Sequence, residues 1–161
     1  MEIEQLLALR KIKAISDYQF SPEITDILFK DIDNIKIKRS KNTDKIRYVY
    51  LNNELLLSLR PTNGFFTLNV LSANKIIQNT SSLKLRAVVE NEISDFIRKG
   101  RNVFCKHIID IDDNLRPNDE IIIVNQEGEI LAVGRVKIPV IYIKAFKRGI
   151  AIDVRKGIEK S

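Results

Sequence analysis

The chain has 161 residues, of which 44% are hydrophobic and 30% are charged, so it can bury a core and is not a disordered polyelectrolyte. Its net charge of +6 is spread along the chain, with 12 basic and 9 acidic residues up to Leu83 and 15 and 12 after it, which excludes a basic tail. No apolar run approaches the roughly 20 residues that cross a bilayer, and the N-terminus lacks a signal peptide's features, so we expect a soluble cytoplasmic protein. The single Cys excludes an internal disulfide. With only one Cys and one His, a zinc site within one chain is very unfavourable, and we expect no cofactor.

The first half of the chain has the pattern of helices followed by an antiparallel sheet. Apolar residues recur at helical spacing over residues 3–15, and Ser21-Pro22 predicts an N-cap with proline in the first turn of a second helix. The pairs Asn52-Asn53 and Asn63-Gly64 predict hairpin turns. Strands are predicted at residues 35–39, 46–51, 55–59 and 65–70, followed by a short helix at 71–77. The predicted class is α+β.

A small polar segment, Gln78-Asn79-Thr80-Ser81-Ser82, separates two regions that each hold complete periodic elements. We therefore predict an α+β module over residues 1–82 and a second domain over residues 83–161. In the second domain, Gly128 marks a hairpin turn and Pro139 opens a short helix. Strands are predicted at 85–89, 103–111, 120–124, 130–136 and 149–155, and helices at 92–99 and 139–147. Many short strands with two small helices predict a compact, partly closed barrel.

Residues 96–109 combine a glycine turn with basic side chains. Gly100 follows the predicted helix, and glycine is favoured there because it adopts positive φ without steric cost. Since the turn lacks a bulky side chain, the phosphate backbone of an RNA could approach it closely. The candidate RNA-contacting residues here are Arg98, Lys99, Gly100, Arg101, Asn102, Val103, Phe104 and Lys106, with His107 beside them. The alternative is a simple helix C-cap.

Some of these candidates have a competing structural role. Phe104 is expected in the core and not as a base-stacking platform, because it continues the apolar strand pattern of Val103 and Ile108. RNA contact is therefore assigned mainly to backbone N–H groups of the turn and to the basic side chains.

A second basic group lies near the C-terminus. Lys144, Lys147 and Arg148 have the spacing of one face of a short helix, and Arg155 lies on the following strand. These four residues are further RNA-binding candidates, and a solvated basic face is the alternative.

Four separated blocks of the second half resemble the PUA domain, an RNA-binding module named after pseudouridine synthases and archaeosine transglycosylases. They read Phe-Ile-Arg-Lys-Gly-Arg-Asn-Val-Phe-Cys-Lys-His at 96–107, Leu-Arg-Pro-Asn-Asp-Glu at 115–120, Ala-Val-Gly at 132–134 and Lys-Arg-Gly-Ile-Ala-Ile-Asp-Val-Arg at 147–155. The resemblance implies a PUA pseudobarrel in which the segment around Lys147 neighbours the Gly100 turn.

The whole chain resembles the C-terminal region of archaeal tRNA-guanine transglycosylase and archaeosine synthase, with further similar segments at 15–20, 46–50 and 59–68. This implies an arm that binds the acceptor stem and 3′ end of tRNA, as an accessory subunit for a separate catalytic subunit. The chain is too short for the family's catalytic barrel, with its paired aspartates and zinc cysteines. It also lacks the Pro-Cys-x-x-Lys-Pro-Tyr signature of the synthase, so we expect RNA binding and no enzymatic activity.

Two alternatives to an RNA-binding role are considered. One is an enzyme using Cys105, whose side chain would share a strand face with His107 and could have a lowered thiol pKa. No third orienting group is recognisable, which favours a buried structural cysteine. The other is a scaffold whose first helix docks a catalytic partner.

Two further charged clusters were weighed. The hairpin cations Lys36, Lys38, Arg39, Lys41, Lys45 and Arg47 are interpreted as a solvated sheet face, with a secondary RNA contact as the alternative. The aspartates Asp110, Asp112 and Asp113 lack calcium-loop spacing and are interpreted as turn-forming residues.

Overall fold

The computed structural model describes residues 2–159 and divides the chain into two compact units, residues 1–79 and residues 80–161. Within residues 2–159, no helix combines the length and the apolar character needed to span a membrane.

Two helices open the first unit. Helix α1 (Ile3–Gln19) runs one turn beyond the apolar pattern, and α2 (Pro22–Leu28) follows it. The Ser21 hydroxyl accepts a hydrogen bond from the Ile24 N–H at 3.2 Å, which confirms the predicted N-cap. The Thr25 hydroxyl donates to the Ser16 hydroxyl at 2.7 Å within the core, so each buried polar group satisfies the other.

A four-stranded antiparallel meander completes the first unit together with a third helix. Strands β1 (Ile35–Arg39), β2 (Ile46–Leu51), β3 (Glu54–Leu59) and β4 (Phe66–Leu68) lie side by side in chain order, and α3 (Val70–Asn79) follows. Asn52 and Asn53 both have positive φ, at 49° and 67°, as the predicted hairpin turn requires. Helix α3 includes Gln78 and Asn79, so the first two residues of the predicted linker are helical.

The second unit is a six-stranded mixed sheet with two short helices. Its strands are β5 (Arg86–Val89), β6 (Val103–Phe104), β7 (Ile108–Ile111), β8 (Glu120–Val124), β9 (Ile130–Val136) and β10 (Ile150–Gly157). They are hydrogen-bonded in the order β6-β10-β9-β8-β5-β7, and only the β5–β8 pair is parallel. The helices are α4 (Ser94–Arg98) and α5 (Val140–Ala145). Every residue of β8 is buried, and the sheet nearly closes into the predicted pseudobarrel of an α+β protein.

The continuous strand predicted over residues 103–111 is wrong. A 3-10 turn, Cys105–His107, divides it into β6 and β7. These two strands lie at opposite edges of the sheet, since β6 pairs with β10 and β7 pairs with β5. A barrel that nearly closes must carry the chain from one edge to the other, and the turn makes that crossing within three residues.

Candidate nucleic-acid interface

The Gly100 turn ends α4 with the predicted left-handed glycine, whose φ is +98°. The Gly100 N–H donates to the Ile97 carbonyl at 2.9 Å, and the Arg101 N–H donates to the Phe96 carbonyl at 3.1 Å. This is the hydrogen-bond pattern of a glycine C-cap. Both N–H groups therefore already have acceptors within the chain, so a ligand would meet the side chains of the turn and not these two amides.

The last strand of the second unit holds the turn in position. A Cβ on Gly157 would lie 2.1 Å from the Arg98 carbonyl oxygen and 2.6 Å from the Gly100 nitrogen, so only glycine allows this close backbone approach. The Asn102 side-chain oxygen accepts a hydrogen bond from the Val154 N–H at 2.9 Å. Asn102, a candidate RNA-contacting residue, thus fixes the turn to β10.

The basic side chains of the turn differ in their solvent exposure and in their ion pairing. Lys99, Arg101 and Lys106 are exposed. Arg98 is half-buried, and its guanidinium pairs with the Asp95 carboxylate at 3.0 Å one helical turn away. The turn therefore offers three exposed cations and one that is already paired.

The segment around Lys147 lies beside this turn, as the resemblance implied. In the β6–β10 pair, Ile150 is opposite Phe104, and the Cys105 N–H donates to the Gly149 carbonyl at 3.0 Å. Lys147 and Arg148, which directly precede Gly149, are both exposed. We call the exposed cations on the two sides of this pairing the basic face, and its members are Lys99, Arg101, Lys106, Lys147 and Arg148.

The helical face predicted for Lys144, Lys147 and Arg148 is wrong, because α5 ends at Ala145. Only Lys144 lies in the helix, and its ammonium contacts the Asp113 carboxylate. That hydrogen bond is the main cause of a raised Lys144 pKa. The pairing compensates the charge of Lys144 locally, whereas Lys147 and Arg148 lie beyond the helix in the exposed turn before β10.

A groove of about 370 Å³ lies between β7, the 3-10 turn and α5. We call it the Lys106 groove, and it is lined by Cys105, Lys106, Ile108, Ile109, Asp110, Ile111, Ile143, Lys144, Phe146 and Lys147. At its edge the rings of Tyr142 and Phe146 stack with centroids 5.3 Å apart and planes at 5°. About half of each side chain is exposed. Sequence reasoning missed this aromatic pair, although its i, i+4 spacing beside a lysine was a usable signal.

The prediction that Phe104 belongs to the core is wrong, since Phe104 is 45% exposed. Val103 fills the core position of the two-residue strand β6, and Phe104 points to the opposite side. The 3-10 turn then breaks the strand periodicity on which the prediction depended. An exposed ring next to basic side chains is suited to stacking on a nucleic-acid base.

Arg155 has a partner inside the protein. Its guanidinium makes two hydrogen bonds, of 2.6 Å and 3.0 Å, to the carboxylate of Glu120, whose side chain is only 1% exposed. A buried carboxylate without a counter-charge would be costly. Arg155, predicted as an RNA-binding residue, therefore neutralises a buried acid on strand β8 of the same sheet.

Cys105 is buried, as predicted for a structural cysteine, and burial raises the pKa of its thiol. Because residues 105–107 form a 3-10 turn, the strand face predicted to join Cys105 and His107 does not exist. The His107 Nδ1 lies 3.2 Å from a Glu90 carboxylate oxygen instead. A raised thiol pKa opposes the nucleophile alternative.

Of the three aspartates predicted to form a turn, Asp112 and Asp113 lie in the turn after β7, whereas Asp110 lies within β7. The Asp112 carboxylate accepts hydrogen bonds from the N–H groups of Leu85 at 2.8 Å and Asn114 at 3.0 Å. Over residues 2–159, no group of three or more His, Cys, Asp or Glu side chains is placed to hold a metal ion.

Comparison with known families places both units. Residues 10–82 match the family described as the patch-forming domain C2 of tRNA-guanine transglycosylase, and residues 86–158 match the PUA domain. The chain is 38% identical over 152 residues to the tRNA-guanine(15) transglycosylase of Methanobrevibacter smithii, and 37% identical over 149 residues to that of Methanothermobacter thermautotrophicus. These alignments cover 94% and 92% of the chain but 23% and 22% of the relatives. The chain thus spans about a quarter of the length of the curated relatives it matches.

Solved structures share the fold at low sequence identity. A hypothetical protein from Pyrococcus horikoshii OT3 matches with a TM-score of 0.75 and 20% identity, over 95% of this chain and 91% of that one. A conserved PUA domain protein from Thermoplasma acidophilum matches with a TM-score of 0.60 and 20% identity, over 79% and 78% of the two chains. These structures show that the fold is shared, whereas the family models and the curated relatives confirm the resemblance that the sequence motifs indicated.

Proposed function

We propose that this chain, which is a PUA-domain protein similar to the C-terminal region of archaeal tRNA-guanine transglycosylase, binds structured RNA as an accessory or targeting subunit in tRNA modification. In the finer form of the proposal, the second unit binds the acceptor stem and the 3′ end of a tRNA. The observation that carries the proposal is the β6–β10 pairing, which brings the two halves of the basic face together.

Charge and shape explain how such a surface would work. Exposed lysine and arginine side chains bind phosphates and release condensed counterions, so affinity falls as salt rises. The deep major groove of A-form RNA hides the base edges, which leaves helix shape and unpaired nucleotides as the recognisable features. Phe104 and the stacked Tyr142–Phe146 pair offer exposed ring faces for unpaired 3′ nucleotides.

The extent of the similarity supports the accessory role in our proposal. The matched regions of the relatives are the C2 and PUA segments, and these amount to about a quarter of proteins named transglycosylases. In our proposal the chemistry is done by a separate catalytic subunit, and this chain supplies affinity for the RNA.

The test is a fluorescence-anisotropy titration of the full chain with tRNA, with and without its 3′ CCA, at two salt concentrations. We expect salt-sensitive binding that weakens when CCA is removed. Arg101→Ala and Lys147→Ala should each lower the salt slope by about 0.7 to 0.9, the value for one phosphate contact. Lys30→Ala, which removes an exposed lysine of the first unit, is the control and should leave binding unchanged.

Absence of tRNA binding near physiological salt would overturn the proposal. Binding that is insensitive to CCA would keep the coarser role in RNA binding and reject recognition of the 3′ end.

One observation favours the scaffold alternative. The first turns of α1 expose Ile3, Leu6 and Leu7, which are 75%, 44% and 56% accessible. Exposed apolar side chains that follow each other on a helix are typical of a protein-docking surface. Replacing Ile3 and Leu7 with serine should release a co-purifying catalytic partner and leave tRNA affinity unchanged if this face docks the enzyme.

A further inference from the structure

We propose that the first unit carries a second RNA-binding site, a basic groove that binds backbone phosphates and stacks one base on Tyr18. The site lies outside the basic face of the second unit. The proposal rests on the proposed function only in taking RNA as the ligand of the chain.

The groove lies between α1, the turn before β2 and the turn before β4, and has a volume of about 860 Å³. We call it the Arg60 groove. It is lined by Lys11, Ile15, Ser40, Asn42, Thr43, Lys45, Ile46, Arg47, Leu59, Arg60, Pro61, Thr62, Asn63 and Gly64. Its volume is within the range of ligand-binding clefts, and α1 forms one wall while two loops form the others.

The charge of the Arg60 groove has one sign. Lys11, Lys45, Arg47 and Arg60 line it, and among residues 2–159 no aspartate or glutamate belongs to the lining. Lys11 and Lys45 are exposed, so their ammonium groups are accessible to a ligand. Arg47 is held more firmly, because its guanidinium lies 5.7 Å from the centre of the Tyr48 ring and donates to the Leu59 carbonyl at 3.4 Å. A cleft lined by positively charged side chains attracts a polyanion such as RNA.

Backbone hydrogen bonds hold the walls in place. At the turn before β4, the Arg60 N–H donates to the Phe65 carbonyl at 2.8 Å, and the Gly64 N–H donates to the Arg60 carbonyl at 3.0 Å. At the turn before β2, the Ser40 N–H donates to the Lys45 carbonyl at 2.8 Å. The backbone of the two turns is therefore set before a ligand arrives, which lowers the entropic cost of binding.

A stacked pair of aromatic rings, Tyr18 and Phe65, lies next to the groove, and we call it the aromatic step. The rings of Tyr18 and Phe65 stack with centroids 6.0 Å apart and planes at 27°. Phe65 directly follows Gly64, and Tyr18 lies one helical turn after Ile15, so both rings adjoin lining residues. Tyr18 is 76% exposed, which leaves a ring face open to a base.

These features favour RNA over an acidic protein segment as the occupant. A groove of cations beside an aromatic platform is the usual construction of a site for single-stranded nucleic acid. The uncharged polar side chains of the lining are hydroxyls and amides, including Thr43, Thr62 and Asn63, which suit sugar and phosphate oxygens. The RNA segment expected here is one with unpaired nucleotides, because only an unpaired base can stack on Tyr18.

The experiment measures RNA affinity and salt slope for the full chain carrying Lys11→Glu and Lys45→Glu. Its matched control carries Lys13→Glu and Lys41→Glu, which are exposed lysines of the same helix and the same turn but are not lining residues. Both variants lose the same net charge. We expect the groove variant to bind at least tenfold more weakly than the control, with a salt slope lower by about 1.5 for two lost phosphate contacts.

The aromatic step is tested with a matched pair at one position. Tyr18→Ala should weaken binding about 5- to 100-fold, the usual effect of losing one stacked base, whereas Tyr18→Phe should bind like the wild type. Because Tyr18 is exposed, neither substitution removes a core contact.

The outcomes separate this inference from the proposed function. If the wild type binds no RNA, both the proposed function and the Arg60 groove as an RNA site are rejected. If Lys147→Ala weakens RNA binding but the groove variant behaves like its control, only the Arg60 groove is rejected, and an acidic protein segment becomes its better occupant. Equal affinities of Tyr18→Ala and Tyr18→Phe would reject the stacked base.

Discussion

The two units use their positive charges differently. In the second unit, Arg98, Lys144 and Arg155 each pair with a carboxylate of the same unit, and only part of its basic set remains exposed. In the first unit, the part of the chain that the structure describes contributes four cations and no carboxylate to the lining of the Arg60 groove. Since both halves of the sequence have the same excess of basic residues, net charge alone does not locate a binding surface. The location of a binding surface depends on which cations have carboxylate neighbours.

The largest effect is expected from removing the Arg155–Glu120 ion pair of the second unit. Arg155→Ala leaves the Glu120 carboxylate without its two hydrogen bonds, and we expect the free energy of unfolding to fall by about 3 kcal/mol. We place the effect at the low end for buried pairs because the Arg155 side chain is 36% exposed. Urea unfolding measures it.

Arg116→Ala, which removes an exposed arginine of the same unit, is the control for this variant. It should change the stability by less than about 0.5 kcal/mol. Equal stabilities of the two variants would show that the pair contributes nothing, and Arg155 would again be a candidate RNA ligand.

A smaller effect compares a paired lysine with an exposed one in the same groove. Lys147→Ala should weaken RNA binding several-fold and lower the salt slope by about 0.7 to 0.9. Lys144→Ala should lower the slope by less than half as much, because its ammonium is already held by Asp113. Anisotropy titrations across a salt series measure both. Equal slopes for the two variants would contradict the distinction between paired and exposed cations.

The smallest expected effect is the pH dependence of the Lys144–Asp113 contact. The pKa of Lys144 is raised above its ordinary value of 10.5, mainly by the hydrogen bond to Asp113. A raised folded-state pKa means that the contact stabilises fully below the unfolded-state pKa and is lost as the pH rises through the folded one. An NMR titration of the Lys144 side chain should show the raised value, and Asp113→Asn should bring it back towards 10.5. An unchanged pKa in that variant would remove the contact as its cause.

Local features were predictable where a few neighbouring residues decide the conformation. The N-cap at Ser21, the Asn52-Asn53 turn and the left-handed Gly100 all have short-range causes in side-chain hydrogen bonding or φ preference. The strand predicted over residues 103–111 failed for the opposite reason. Its apolar pattern is continuous, but closing a sheet requires the chain to leave one edge and join the other.

The candidate site was predictable only in part. Gly100, Arg101 and Lys106 could be found because the turn and its flanking cations lie together in the sequence. The exposure of Phe104 depended on a strand of two residues, which no apolar pattern distinguishes from a longer one. The alternative of a secondary RNA contact already included two residues of the Arg60 groove, Lys45 and Arg47. The groove itself was not predicted, because its walls come from three separate segments of the first unit.

The sequence by itself determined the α+β class, most helix and strand positions, the glycine turn and the resemblance to PUA-domain proteins, because each depends on local periodicity or on the order of short motifs. Only the tertiary structure decided which cations are available. Arg155 meets Glu120 across 35 residues of chain, and Lys144 meets Asp113 across 31. Such pairs form only when the sheet and helices bring distant segments together, so the distribution of charges along the sequence does not predict them.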